Sequence, residues 1–501
     1  MRNTHGTVES IRKIVFEEIA RIAYDNRGLK DLDNLPYELL PGNVAQYRDS
    51  VLRERQIIGE RLRLACGLPL RQSDRYEPLS EGVEEAEIHE KYYTPPLVNV
   101  IPYACNACPE KKVVVTSNCQ GCVDHPCRSV CPKKAISVDK NGKSVIDESV
   151  CIKCGKCIEV CPYGAIGKLE RPCAKACGMD AISSDEFGRA KINYDLCVSC
   201  GQCMTSCPFG AISDKSQIYQ LIKSIMANEK IIAIVAPAYI GQFTGCTPPK
   251  FRKAMKELGF ADTIEVSIGA DLCTVEEGKD FIEKVPAEQP FMGTSCCPSW
   301  SVMAKRFLGD QANCISMTLT PMVITARLVK KEHPDVKIAF IGPCVAKKLE
   351  ASRKSVKSEV DFVLTFEELN GMFSAKNIDF SKMETDKNDE ICAGTGAGRG
   401  FAVSGGVAQA VKDYISKIRP DMEVNVECAD GLKNCKKMLL MAKAGKRNGY
   451  LLEGMACPGG CIAGGGTITP VAQSLKNVEA YKKAAEHAGA DESPYLESEA
   501  K

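Results

Sequence analysis

Histidine and tryptophan are scarce. The 501 residues hold five histidines (His5, His89, His125, His333 and His487) and a single tryptophan, Trp300. No two histidines stand at zinc-site spacing, which sets aside the imidazole-rich zinc centres. Net charge is nearly absent as well: 65 Lys and Arg against 64 Asp and Glu leave +1. Such a balance gives no electrostatic case for a nucleic-acid or membrane-surface partner. No run of about 18 apolar residues suggests a membrane span. The opening "MRNTHGTVESIRK" has neither an apolar signal core nor a twin arginine, so the expected location is the cytoplasm.

What the chain does have is 28 cysteines. Disulfide-dense scaffolds are usually small and secreted, so metal ligation is the main use left for thiols in a reducing compartment. A thiol-rich, histidine-poor composition favours iron–sulfur clusters over zinc. Hydrophobic content of 44% and charged content of 26% are those of ordinary globular proteins.

Three regions follow, multidomain α/β and α+β in class. Residues 1–95 read as a helical N-terminal domain, a cap or docking element: "TVESIRKIVFEEIARIAYD" places Val8, Ile11, Val15, Ile19 and Ile22 at helical spacing. A second helix, "QYRDSVLRERQIIGERLRLACG", is stopped by Gly67 and Pro69. Residues 96–215 form a ferredoxin-like domain of two tandem modules. Residues 225–485 alternate apolar strands ("KIIAIVAPAY", "VKIAFIGPC", "EVDFVLTF") with helical stretches, which predicts an α/β domain with a largely parallel sheet. Residues 486–501 read as a flexible polar tail.

The middle region holds sixteen of the cysteines. "CIKCGKCIEVCP" at 151–162 and "CVSCGQCMTSCP" at 197–208 have the C-x2-C-x2-C-x3-C-P spacing of bacterial ferredoxins, and "CQGCVDHPCRSVCP" at 119–132 is a variant with two more residues. In that pattern three thiolates cap one cubane and the fourth reaches the neighbouring one. Crossed ligation then groups Cys119, Cys122 and Cys127 with Cys161, and Cys151, Cys154 and Cys157 with Cys131. Cys197, Cys200 and Cys203 take Cys177. "RPCAKACGMDAI" looks like "HPCRSVCPKKAI" without its first two cysteines, which Cys105 and Cys108 of "CNAC" could supply. Cys105, Cys108, Cys173 and Cys207 would then make a fourth accessory cluster; if "CNAC" is idle, three remain.

Three later stretches stand out: "TSCCPSW" (294–300), "GPCVAKKLE" (342–350) and "EGMACPGGCIAGGG" (453–466). Each follows a strand-like run, and loops leaving the C-terminal ends of parallel strands converge on one crevice. Cys297, Cys344, Cys457 and Cys461 can therefore meet. "GTGAGRG" at 394–400 lacks the acidic residue of a dinucleotide fingerprint and reads as a tight turn and helix start.

These three stretches resemble the signature motifs of the iron-only (FeFe) hydrogenases, over roughly residues 100–480. The resemblance implies a ferredoxin hydrogenase, an enzyme reducing protons reversibly to dihydrogen with electrons from ferredoxin or a similar low-potential carrier, matured by dedicated hydrogenase maturation proteins. It implies an H-cluster, a 4Fe–4S cubane joined to a diiron unit bearing carbon monoxide, cyanide and an azadithiolate bridge. Cys297, Cys344, Cys457 and Cys461 would be its cubane ligands, Cys461 the bridging one. Cys296 would stay unmetallated and deliver protons, its ordinary thiol pKa near 8.5 suiting neutral pH. The rest of the relay would be Glu277, Asp280 and Ser316. Lys347 would face a cyanide ligand, with Lys348 as the surface lysine of the pair. Pro237, Ala238 and Met455 would contact the diiron unit, and Glu350 and Glu453 would fix loop geometry.

Departures from the best-studied members fall at Gly342, Ala238 and Met322, where methionine, serine and glutamine are usual, and all three would line the diiron pocket. They point to a less-characterised branch of the family. The alternatives are a non-catalytic hydrogenase-like assembly protein of the iron–sulfur machinery, which would need neither the "TSCC" thiol nor a wire, and a hydrogen sensor, which would carry an added regulatory domain.

Overall fold

The computed structural model describes residues 7–72, 74–88 and 94–496. Thr7 starts the helix Val8–Tyr24 by accepting from Ser10 N (3.2 Å), and Ser50 starts Val51–Ala65 in the same way through Leu52 N (3.2 Å). Ile11, Val15, Ile19 and Ile22 are all buried, as their spacing predicts. They do not build a core of their own. The same apolar cluster takes in Leu369 and Phe373 and the strand residues Ile231, Val235 and Ile341.

The iron–sulfur region consists of short antiparallel pairs. Lys112–Val115 pairs with Ile166–Leu169, and Val98–Val100 pairs with Ile212–Asp214. The second pair encloses the first in sequence, so one module is inserted inside the other. That nesting places "CNAC" and "RPCAKAC", far apart in sequence, at the two ends of the inserted module. Inside each C-x2-C-x2-C turn a glycine starts the short helix at positive φ (Gly155 at 85°, Gly201 at 78°), a conformation open to glycine without cost.

The C-terminal region departs from the single sheet its alternation suggests. It holds two parallel sheets. The four-stranded one runs Asp262–Glu265, Ile231–Val235, Lys337–Gly342, Phe362–Thr365, and the three-stranded one runs Phe291–Gly293, Tyr450–Met455, Asn425–Asp430. Trp300 packs on the three-stranded sheet, in one apolar cluster with Phe291, Leu439 and Leu452, and explains the end of "TSCCPSW". A Cβ on Gly454 would lie 2.1 Å from its ring, so only glycine admits the indole there, and its Nε1 donates to Thr294 O (3.0 Å).

The expected flexible tail is a correction. Gly396 N and Ala397 N donate to His487 O and Ala488 O (2.8 and 2.9 Å), and Lys417 pairs with Asp491 (2.8 Å). Residues 486–496 therefore pack onto the Gly396–Gly400 turn, which is the helix start that "GTGAGRG" predicts. Residues 497–501 of that tail lie outside the described residues.

Candidate active site

Five strands, drawn from both sheets, end at one cavity. Ile231–Val235 delivers Pro237 and Ala238; Asp262–Glu265 delivers Val266. Phe291–Gly293 leads to Cys296 and Cys297, Lys337–Gly342 to Cys344, and Tyr450–Met455 to Cys457 and Cys461. All of these line that cavity, together with Lys347, Met455 and Met322. Four of the sequence-predicted sulfurs thus share one crevice at the carboxyl ends of parallel strands.

Cys297 and Cys344 each stand at the N-cap of a helix, Pro298–Leu308 and Val345–Ala351. Backbone N–H groups of Trp300 and Ala456 point at the Cys297 sulfur, and those of Lys347 and Ala346 at Cys344. Burial nevertheless holds the thiol of Cys344 up at about 11, helped by Cys297 and opposed by Lys347. Cys457 and Cys461 are also pushed up, first by burial and then by Cys344. Four crowded sulfurs in an apolar pocket become thiolates only when a metal supplies compensating charge. The donor set fits an iron–sulfur group. Among the described residues no three His, Cys, Asp or Glu side chains crowd one point as ligands of a single ion do.

Cys296 is half-buried, and its pKa lies well above the ordinary thiol value, through desolvation and then the charges of Glu277 and Glu453. It is therefore a neutral thiol at pH 7, held still further from ionising than an unperturbed thiol, which is itself mostly protonated there. Glu277 sits behind it on the helix Ser267–Lys284, fully buried. Its Oε1 accepts from Ser295 N (3.0 Å) and Ser295 Oγ (3.2 Å), and Ser316 also donates to the carboxylate. Oε2 has no partner. Burial raises this carboxyl to about 7 against those hydrogen bonds. Asp280, one turn on, is half-buried and pairs with Lys284 (2.9 Å). No hydrogen bond among the described residues joins it to Ser316.

Lys347 Nζ pairs with Glu350 (2.6 Å) and donates to Cys296 O (3.3 Å). Lys348 is not a surface lysine. It has no exposure and bridges Asp214 and Glu368, each at 2.7 Å, which fixes the cavity helix to the iron–sulfur region. Glu453 pins the start of the helix Gly406–Ile418 by accepting from Gly405 N and Ala408 N, both at 2.7 Å. Ala238 and Met322 line the cavity as expected, but Gly342 does not. A Cβ at Gly342 would fall 2.5 Å from the Phe340 ring, and that ring lines the cavity in its place. Period-two alternation along the strand was the signal for Phe340. Ser295 had none.

The accessory cysteines form quartets. Cys131, Cys151, Cys154 and Cys157 surround one pocket, Cys119, Cys122, Cys127 and Cys161 a second, and Cys177, Cys197, Cys200 and Cys203 a third. Beyond burial, Cys105 and Cys207 together push up both Cys108 and Cys173, which brings the last four sulfurs to one place. Cys200 also lines the large cavity, and Ser299 Oγ, two residues beyond Cys297, donates to Val198 O (2.9 Å). The third quartet and the cavity share a wall.

A family profile described as "Iron only hydrogenase large subunit, C-terminal domain" matches residues 229–465, and one described as "4Fe-4S binding domain" matches 144–167 and 190–213. The periplasmic Fe hydrogenase large subunit of Nitratidesulfovibrio vulgaris is 31% identical over 287 residues, 47% of this chain and 68% of its own. Iron hydrogenase 1 of Clostridium pasteurianum is 28% identical over 319 residues, 54% of this chain and 56% of its own. Cytosolic iron-sulfur assembly component 3 of Bos taurus is 24% identical over 287 residues, 46% of this chain and 60% of its own. The chain thus spans somewhat over half the length of the latter two. Among the described residues no helix is long and apolar enough to cross a membrane.

Proposed function

The chain belongs to the iron-only hydrogenase family, and from that premise we propose that it interconverts protons, electrons and dihydrogen. One observation carries the reading. Cys297, Cys344, Cys457 and Cys461 line a single cavity together with a fifth sulfur, the half-buried Cys296, that is backed by a carboxyl poised near neutral pH. An H-cluster held by those four cysteines would supply the redox chemistry of hydrogen. The protein's own groups would do the rest. Cys296 keeps its proton at neutral pH and hands it over, and Glu277 replaces it, its unpartnered Oε2 offering the seat for a proton in transit. Ser316 feeds Glu277 through its hydroxyl, and Asp280 stands at the solvent side of the same helix. Lys347 keeps a positive charge inside the cavity, held in place by Glu350, which suits an anionic ligand. Pro237, Ala238, Met322, Phe340 and Met455 exclude water.

Electrons would come from a low-potential carrier such as ferredoxin. Among the described residues Cys154 is the one exposed sulfur of the sixteen, at the far module, and Cys200 adjoins the cavity at the near one. Four quartets give four accessory 4Fe–4S clusters.

A non-catalytic role in iron–sulfur assembly, the role named for the Bos taurus relative, is the competing reading. Such a role has no use for a non-ligand thiol backed by a carboxyl. Infrared spectroscopy on protein matured with the diiron cofactor separates the two. Carbon monoxide and cyanide bands, hydrogen evolution from a low-potential donor and about 22 irons per chain are expected. Zero turnover with a fully loaded site would refute the enzyme.

A further inference from the structure

The N-terminal helical segment has no part in the steps above, yet its arginines converge on one accessory site. Arg53 Nε donates to Tyr103 O (2.8 Å) and Arg48 Nη2 to Ala104 O (3.4 Å), the two carbonyls just before Cys105. Arg61, 5% exposed, donates to Gly210 O, three residues beyond Cys207. A fourth guanidinium comes from the module itself. Arg171, 3% exposed, donates to Cys108 O (2.7 Å) and stands two residues before Cys173. Each sulfur of the quartet therefore has a guanidinium on its own loop.

Two of these cations lack an acid to neutralise them. Arg171 spends its donors on Cys108 O, Ser183 O, Gly188 O and Ser184 Oγ. Arg61 is hydrogen-bonded to a carbonyl only, and the nearby Glu367 is held by Arg12 at 2.6 Å. The Nε of each has no partner. A guanidinium stays charged when buried, and a buried charge without a counter-ion is costly. Four thiolates around a cubane supply the missing negative charge. The other quartets differ: Lys133 and Lys156 beside one, and Arg306 beside another, are exposed to screening solvent.

We propose that the N-terminal segment is an electrostatic collar around the Cys105–Cys108–Cys173–Cys207 cluster, which raises that cluster's reduction potential above its neighbours' and makes it the station where an electron waits. Adding an electron makes an anionic cluster more negative, and nearby fixed positive charge favours that state. The proposal rests on the reading that this quartet holds a cubane.

The test needs no diiron cofactor, so it is independent of hydrogen turnover. The full chain is reconstituted with iron and sulfide and titrated electrochemically while electron paramagnetic resonance follows the clusters. Cys173→Ala identifies the signal: about four irons should be lost together with the first cluster to be reduced. Arg48→Gln and Arg61→Met should each move that first step to lower potential, with iron content and the later steps unchanged. Arg306→Gln should leave the step in place. Arg48 is half-buried, so its variant keeps the test open if Arg61→Met does not fold. An unmoved first step in both arginine variants overturns the proposal. So does Cys173→Ala losing its iron while the first step persists. No iron lost in Cys173→Ala refutes instead the four-cluster reading beneath it.

Discussion

Replacing Glu277 by glutamine tests the relay through a quantity that activity alone does not report. The carboxyl lies fully buried, and burial moves its pKa from 4.5 to about 7. Each pKa unit is worth about 1.36 kcal/mol, so ionising Glu277 inside the fold costs about 3 kcal/mol more than ionising it in the unfolded chain. The folded-state pKa is the higher one. Its favourable contribution is therefore complete below about pH 4.5 and is lost as pH rises to about 7. Glutamine keeps an oxygen for the two Ser295 donors but has no proton to lose. Thermal midpoints of the two proteins should accordingly diverge with rising pH, the variant gaining on the wild type. Over pH 5.5 to 8, where clusters survive, about 2 of the 3 kcal/mol fall inside the window, or about 4 °C for a unit of some 250 residues. Hydrogen evolution in the matured variant should drop by about 100-fold or more, the usual contribution of a positioned acid–base group. Parallel midpoint curves across that range, or unimpaired turnover, would refute the reasoning.

Other substitutions probe separate parts. Cys296→Ala should abolish hydrogen turnover while iron content, counted chemically, stays at the wild-type level. Lys348→Met leaves Asp214 and Glu368 buried without their shared cation and should cost about 3–5 kcal/mol, read as a fall in denaturant midpoint. Gly342→Met should displace the Phe340 ring; the infrared bands of the loaded site should shift, with little change in iron content. Gly454→Ala drives a methyl into Trp300 and should yield no folded protein, judged by soluble recovery against Gly28→Ala, whose site is open and whose φ is ordinary.

Fixed spacing made the accessory quartets legible in the sequence. A C-x2-C-x2-C-x3-C run dictates which sulfurs can meet, and three pockets hold the expected groups. Cys105 and Cys108 were readable only through the likeness of "RPCAKACGMDAI" to a motif missing its first two cysteines, because 64 residues separate Cys108 from Cys173. The cavity was legible because three long motifs each end a strand. What escaped notice depends on residues far apart in sequence. Lys348 reads as solvated from "AKKLE" because its two acids lie in Asp214 and Glu368. Phe340 enters the cavity through the absence of a side chain two residues later. The elevated pKa of Cys296 comes from enclosure by several loops, and no local pattern records enclosure. In the same way the arginines of the first hundred residues carry no helical-face signal for the loops they grip.

The nesting of one iron–sulfur module inside the other has a consequence for how long such a conductor must be. The inserted segment leaves and returns through adjacent strands, with Lys112 paired to Leu169, so its two ends lie about 5 Å apart. Excising it and joining the ends with a residue or two would leave an uninterrupted ferredoxin-like module that still abuts the cavity. On the proposed reading, conductor length is in this way separable from the site it serves: an extension could be grafted in or pruned away without disturbing the wall that the third quartet shares with the cavity.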